Sequence, residues 1–226
     1  MKLYELAYAC RLYREVTQFD LAYADVCKAL GPNPDLASQT QQDALLHFLN
    51  CWLCRIPEKN FPTLKERLSK WAAQWVPQLP KSGADVRSLL DSERVQIVNA
   101  YEKLVWLGVG LNFQDTAAAK TLHALRPCVL PMWDNEIKDW FSASGPPKRT
   151  GGQIYSDFLQ HVAGQISELE MDVTRLAHSL ADVPQLVQRS GATIVKLVDE
   201  YYWITITKGH VVPTRKDLEQ WLRWIE

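Results

Sequence analysis

The amino-acid sequence predicts an all-helical protein, a two-lobed helical bundle, on three observations. Apolar positions recur every three or four residues along most of the chain, the spacing that gathers them on one face of an α-helix. Breakers such as GPNP at 31–34 and SASGPPKRTGG at 142–152 punctuate these runs. Only WITIT, within KLVDEYYWITITKG, alternates like a strand, and one such run cannot make a sheet.

Taken in order, residues 2–30 read as one or two helices closed by the GPNP turn. Ser38 with Gln41, and Thr63 with Glu66, have the capping-box spacing that satisfies orphan amides at a helix start, so a helix is expected after each. The pattern then predicts a helix from about Asp91 to Leu107 and a glycine turn, GVG. Another runs from near Asp115 to just before Pro127, and a further one starts at Asp134. The 142–152 loop separates elements rather than domains and precedes a helix over roughly 153–170. Residues 1–226 are read as a single helical domain whose two lobes meet at a cleft near 106–155.

Composition narrows the function classes. With 226 residues and 47% hydrophobic content the chain can bury a substantial core. A formal net charge of -1, from 25 basic and 26 acidic residues, supplies no global field toward nucleic acid or anionic lipid, so any polyanion site is a local patch. Five irregularly spaced cysteines suit a reducing cytoplasm better than a disulfide framework. The start, MKLYELAYACRLYREV, is broken by charge and lacks a signal peptide's uncharged core, and no stretch approaches the roughly 20 apolar residues of a membrane span. Cys51 and Cys54 form a lone CxxC, read as small residues on a helix face. The five histidines make no metal-ligand pair, no metal site is expected, and no GKS/T loop is present for nucleotide phosphates.

The stretch RPCVLPMWDNEI, 126–137, places a proline-bracketed apolar loop before an aspartate at a helix start. Asp134 is a good N-cap and needs no further role to sit there. A carboxylate beside Val129, Leu130, Met132 and Trp133 also suits chemistry that develops positive charge in a dry pocket. Breaking an N-glycosidic bond is such chemistry, because the sugar becomes oxocarbenium-like as the base departs. A short capping carboxylate is expected to keep one oxygen free for that task.

The longer segment YEKLVWLGVGLNFQDTAAAKTLHALRPCVLPMWDNEI resembles the helix-hairpin-helix superfamily of DNA glycosylases over about 45 of the 226 residues. In that superfamily a Gly-Val-Gly hairpin precedes a Thr-Ala helix, and an aspartate follows in an apolar segment. Gly108, Val109, Gly110, Thr116, Ala117 and Asp134 lie on this pattern. Trp106-Leu107 replaces the family's Leu-Pro, and about three extra residues separate GVG from Thr-Ala. LHALRP followed by PMWD is similar to an archaeal and bacterial variant with a degenerate hairpin.

The resemblance implies a DNA glycosylase with DNA as partner and Asp134 promoting base release. It also implies backbone phosphate contacts, and a monovalent cation, at the Gly108–Gly110 hairpin; a plain helix C-cap at Gly108 is the structural alternative. No other cofactor and no membrane partner are expected, and the protein is expected to be a monomer. Trp133 above all, with Trp106, Trp140 and Tyr155, is taken as a base-stacking candidate, against the alternative that these aromatics belong to the core. Lys148 and Arg149 are candidates for the DNA backbone, and Arg126 for either a phosphate or a structural ion pair. Asp115 occupies the position where lyase-type relatives carry a lysine nucleophile. Lys120 lies one turn further on, as an exposed helix lysine or an active-site contact, so a water-using enzyme is expected. The alternatives are a non-enzymatic helical protein-binding module and a catalytically inactive DNA-binding relative.

Overall fold

The computed structural model describes residues 1–143, 145 and 148–223; Ser144, Pro146 and Pro147 of the glycine-proline loop lie outside them. The described residues form eleven α-helices and no strand. In chain order these are α1 (Leu3–Val16), α2 (Phe19–Leu30), α3 (Gln39–Cys51), α4 (Phe61–Trp75), α5 (Asp91–Leu107), α6 (Asp115–Leu125), α7 (Asn135–Ala143), α8 (Gly151–Arg175), the short α9 (Val183–Leu186), α10 (Ile194–Tyr202) and α11 (Arg215–Arg223). No described helix is long and apolar enough to cross a membrane.

Several boundaries differ from the sequence expectation, each for a local reason. Ser38 stands at the N-cap of α3 without a side-chain cap bond, because Gln41 turns to accept from the Asp35 amide at 2.7 Å. Helix α4 begins at Phe61 with Asn60 at its cap, so Thr63 lies inside the first turn. Pro62 beside it costs no hydrogen bond there, since amides of a first turn have no partner within the helix. Helix α8 starts at a capping box in which the Thr150 hydroxyl accepts from Gln153 N and the Gln153 side chain accepts from Thr150 N. WITIT is not extended. Residues Trp203–Thr207 continue α10 as a π-helical turn, closed by a Lys208 N to Trp203 O bond of 2.9 Å.

Helix α6 is the centre of the packing. Every residue from Ala117 to Leu125 is buried, and the neighbouring helices α2, α3 and α5 enclose it. The alanine run Ala117–Ala119 favours helix intrinsically and has no bulk to keep neighbours away. The buried apolar residues form one continuous cluster from Met1 to Tyr202, with a small satellite of Ala9, Tyr13 and Ile204.

The segment that leaves α6 is as buried as the helix itself. Val129, Leu130, Met132 and Trp133 are each at most 1% exposed. Burying irregular backbone requires partners for its carbonyls, and side chains from three helices supply them. Thr193 Oγ1, capping α10, donates to Pro127 O at 2.8 Å; His123 Nδ1 of α6 donates to Leu130 O at 2.7 Å; Tyr155 Oη of α8 donates to Pro131 O at 2.7 Å. Because the Leu130 carbonyl can only accept, His123 carries its proton on Nδ1, and its Nε2 accepts from the Tyr23 hydroxyl at 2.9 Å. Burial holds this imidazole neutral, with its pKa pushed down to about 3. Arg126 is 8% exposed and structural, donating to Pro80 O at 2.6 Å, Leu125 O at 2.8 Å and Val76 O at 3.3 Å. Its expected roles as phosphate contact or ion-pair partner give way to this carbonyl clamp.

Tyr155→Phe removes one clamp and leaves the Pro131 carbonyl buried without its donor. It is expected to lower unfolding stability by about 1–3 kcal/mol in denaturant titration, the cost of an unsatisfied buried acceptor. A change under about 0.5 kcal/mol would show that this carbonyl finds another partner.

Candidate functional site

The clamped segment ends at Asp134, which N-caps α7 and opens onto a cavity of about 540 Å³. That volume lies within the range of sites that enclose a small molecule. Asp134 Oδ1 accepts from Ile137 N at 2.9 Å, the N-cap to third-residue bond. Its Oδ2 accepts from Thr207 Oγ1 at 2.7 Å. The carboxylate therefore does not keep one oxygen free, as expected from the sequence. Both oxygens are engaged, yet each has more than one lone pair and the group is only partly buried, so it faces the cavity in a fixed orientation.

Five chain segments build the cavity. The first turns of α6 and α7 both meet it through Thr116, Ala117, Asn135 and Glu136, and Thr116 Oγ1 bonds Asn135 Oδ1 at 3.1 Å across their junction. Two helix N-termini thus converge at one rim, where their dipoles favour the carboxylates already placed there, Asp134, Asp115 and Glu136. Phe19 and Trp203 form an aromatic wall, meeting edge to face at 5.9 Å, with Trp52 behind them. Arg55, Lys120 and Lys208 bring positive charge, and Asp134, Glu136 and Asp199 bring negative charge. The cavity is therefore aromatic-walled and charge-balanced rather than uniformly basic.

The residues singled out from the sequence divide into those that meet here and those that do not. Lys120 does. It is 7% exposed rather than a surface lysine, and its Nζ donates to Trp52 O at 2.6 Å. Trp133 does not line the cavity; it is 1% exposed, packed against Tyr101, Tyr155 and Phe158. Tyr155 is fully buried in the same cluster. Trp140 packs with Phe141, His161 and Tyr202 away from the cavity lining. Asp115 is held by the Tyr101 hydroxyl at 2.9 Å and by Lys138 at 2.7 Å. Lys148 is exposed and Arg149 pairs with Asp157 at 2.6 Å, in the loop beyond the far end of α7.

Trp106 belongs to a second groove. It is 73% exposed and lines a depression of about 550 Å³ with Arg67, Lys70, Lys103, Trp71 and Trp75, a lining that contains no acidic side chain. The turn between α5 and α6 separates groove from cavity, presenting Leu107 and Val109 to one and Asn112 and Gln114 to the other. Gly108 caps α5 at φ -84°, and a side chain there would lie 2.1 Å from Phe113 O. Gly110 takes φ +79°, where a side chain is strained. The Arg67 guanidinium donates to Leu107 O at 2.7 Å, so a fixed cation already serves the carbonyls of this turn.

Sequence reasoning missed the cavity floor. Asp199 is 5% exposed and lies in a buried charge cluster with Lys196, Glu200, Arg189 and Asp20. Lys196 Nζ sits 3.0 Å from Glu200 Oε1 and 4.4 Å above the centre of the Tyr13 ring. Burial opposes its charge, but Glu200, Tyr13 and Asp199 outweigh that penalty and hold the ammonium above its ordinary pKa. Arg189 spans Glu200 and Asp20, with a 2.7 Å contact to the latter. Burial also pushes the Asp199 carboxyl up to about 6, against the opposing pull of Lys196. The signal was present as KLVDE, three charges at helical spacing among apolar residues that are themselves buried.

Asp199 takes up its proton more readily folded than unfolded, so the folded state holds the extra proton between about pH 4 and 6 and stability falls as pH rises through that window. Asp199→Asn lacks this titration. Its melting temperature relative to the parent should therefore rise between pH 4 and pH 7, by an amount equivalent to roughly 2 kcal/mol. A difference independent of pH would mean that Asp199 titrates alike in both states. No family model matches this chain, and neither the curated proteins nor the solved structures include one that it matches.

Proposed function

We propose that this protein is a DNA glycosylase, hydrolysing the N-glycosidic bond of a damaged or modified base to leave an abasic site. One observation carries the reading: Asp134 ends a rigid buried segment and opens into an aromatic-walled cavity of small-molecule size instead of packing against the core. The glycosidic bond breaks with its electron pair leaving on the base. Water adds to the sugar carbon, and the water's proton balances the departing base. Asp134 supplies fixed negative charge to the oxocarbenium-like sugar and orients the water. Phe19 and Trp203 offer faces to an everted base, the role that Trp133 cannot take from within the core.

The surroundings suit a polyanion. The groove of Arg67, Lys103 and Trp106 on the other side of the α5–α6 turn, read here as the degenerate hairpin, offers cations and an exposed ring to a strand. The reading covers both repair and the removal of bulky modified bases from phage DNA.

Asp134→Asn keeps the acceptor for Ile137 N, and the Thr207 hydroxyl can turn to accept from the new amide, so stability should change by less than about 1 kcal/mol. Base release should fall by about 100-fold or more while DNA affinity is retained. The measurement is incubation with genomic DNA carrying varied modified bases, followed by counting abasic sites and identifying free bases by mass spectrometry. Parental excision by a folded variant would leave Asp134 a helix cap. Absence of excision by the parent would favour a protein-binding module or an inactive DNA-binding relative.

Asp115 stands where lyase-type relatives carry the nucleophilic lysine, and Lys120 is held at the Trp52 carbonyl, so the product should be an intact abasic strand. Borohydride treatment during turnover should trap no covalent protein-DNA adduct. An adduct lost in Lys120→Met would instead make that amine the nucleophile.

A further inference from the structure

The floor of the cavity contains a carboxylate that no donor among the described residues hydrogen-bonds. Within the buried cluster, Lys196 is matched by Glu200, and Arg189 by Glu200 and Asp20. Asp199 is the carboxylate of this cluster left without a hydrogen bond. Its nearest cation is Lys196 Nζ at 3.6 Å, beyond hydrogen-bond distance, and among the described residues no side chain or backbone amide donates to its oxygens. The residue is 95% buried yet lines the cavity, so a ligand there can supply the donor that the protein does not. Lys120 faces the same cavity, close enough for its charge to act on Asp199. One of its three N–H bonds is fixed on Trp52 O, which leaves donors for a ligand.

We infer that Asp199 and Lys120 read the edge of a nucleobase: the carboxylate accepts from a ring or amino N–H, and the ammonium donates to the adjacent carbonyl oxygen or ring nitrogen. The floor then presents an acceptor beside a donor, complementary to a heterocycle whose edge presents a donor beside an acceptor. Phe19 and Trp203 cover the ring's face. Methylating a ring N–H that faces Asp199, or dimethylating an amino group there, removes the donor and leaves the carboxylate unpaired. This inference rests on the glycosylase reading only in taking the ligand to be a base. It assigns selectivity to Asp199 and Lys120, and bond cleavage to Asp134.

The test uses free bases, so it does not depend on cleavage. Guanine, hypoxanthine and uracil, each with its analogue methylated on the Watson–Crick ring N–H, and adenine with its analogue dimethylated on the amino group, are titrated against the parent protein, Asp199→Asn and Lys120→Met, with folding of each variant checked by thermal melting. At least one unmethylated base should bind the parent, and its methylated analogue should bind about tenfold or more weakly, the scale of a lost charge-assisted hydrogen bond. Asp199→Asn and Lys120→Met should each lose about tenfold for that base. Should Asp199→Asn fail to fold, the methylated analogues and Lys120→Met still decide the question. Failure of every base to bind, equal binding of the methylated analogues, or unchanged affinity in Lys120→Met would each overturn the inference. Base binding through Asp199 with no excision from DNA would instead retain it and remove the glycosylase reading.

Discussion

The site depends on a length of irregular backbone being held in the interior. Residues 127–133 run through the core without helix or sheet to satisfy their carbonyls, and each unsatisfied one would cost on the order of 1–3 kcal/mol. Thr193, His123 and Tyr155 remove that cost from three directions, each from a different helix. The segment thus acquires the rigidity of the helices that grip it. Asp134, the first residue to emerge, inherits a position set by α6, α8 and α10 together. The hydrophobic approach to an acidic residue is explained by this anchoring: the apolar side chains fill the core, and the carboxylate is placed where they end.

A second constraint comes from α10. An amphipathic helix with Lys196, Asp199 and Glu200 on its buried side must bring counter-charges with it, and Arg189 and Asp20 serve that need alongside the aromatic rings of Tyr13, Tyr23 and Trp52. The π-helical turn that follows is widened at Trp203–Thr207, which puts Trp203 on the cavity wall and the Thr207 hydroxyl on Asp134. One helix therefore contributes the floor, part of the wall and the second hydrogen bond to the aspartate. Its charge cluster costs stability wherever a carboxylate lacks a donor, and that cost falls at the cavity rather than elsewhere along the helix.

The groove beside the α5–α6 turn is a different kind of surface. Its lining holds no acidic residue, although Lys70 pairs with Glu66 at 2.6 Å from outside it, and Trp106 stands in solvent without the packing that burial would give it. Cavity and groove share the turn at Gly108–Gln114, whose backbone is tied by Arg67 on one side and by Asn112 to the Arg55 carbonyl on the other. A strand lying in the groove would meet the cavity over a single turn of chain.

The sequence by itself determined the helical class, most helix positions and the placing of Asp134 at a helix start, because these follow from periodicity and capping within a few residues of chain. The WITIT alternation misled because period two over five residues is shared by a strand and by a widened helical turn, and only the continuation of α10 distinguishes them. Which aromatics line the cavity was decided by tertiary structure alone. Trp133 is adjacent to Asp134 in sequence, but successive residues entering a helix point in different directions, and its ring turns into the core while Phe19 and Trp203, far away along the chain, line the cavity. Lys120 and Asp199 likewise show their role only when α6 and α10 are brought to one cavity, since the environment of a charge is made by residues that are distant in sequence.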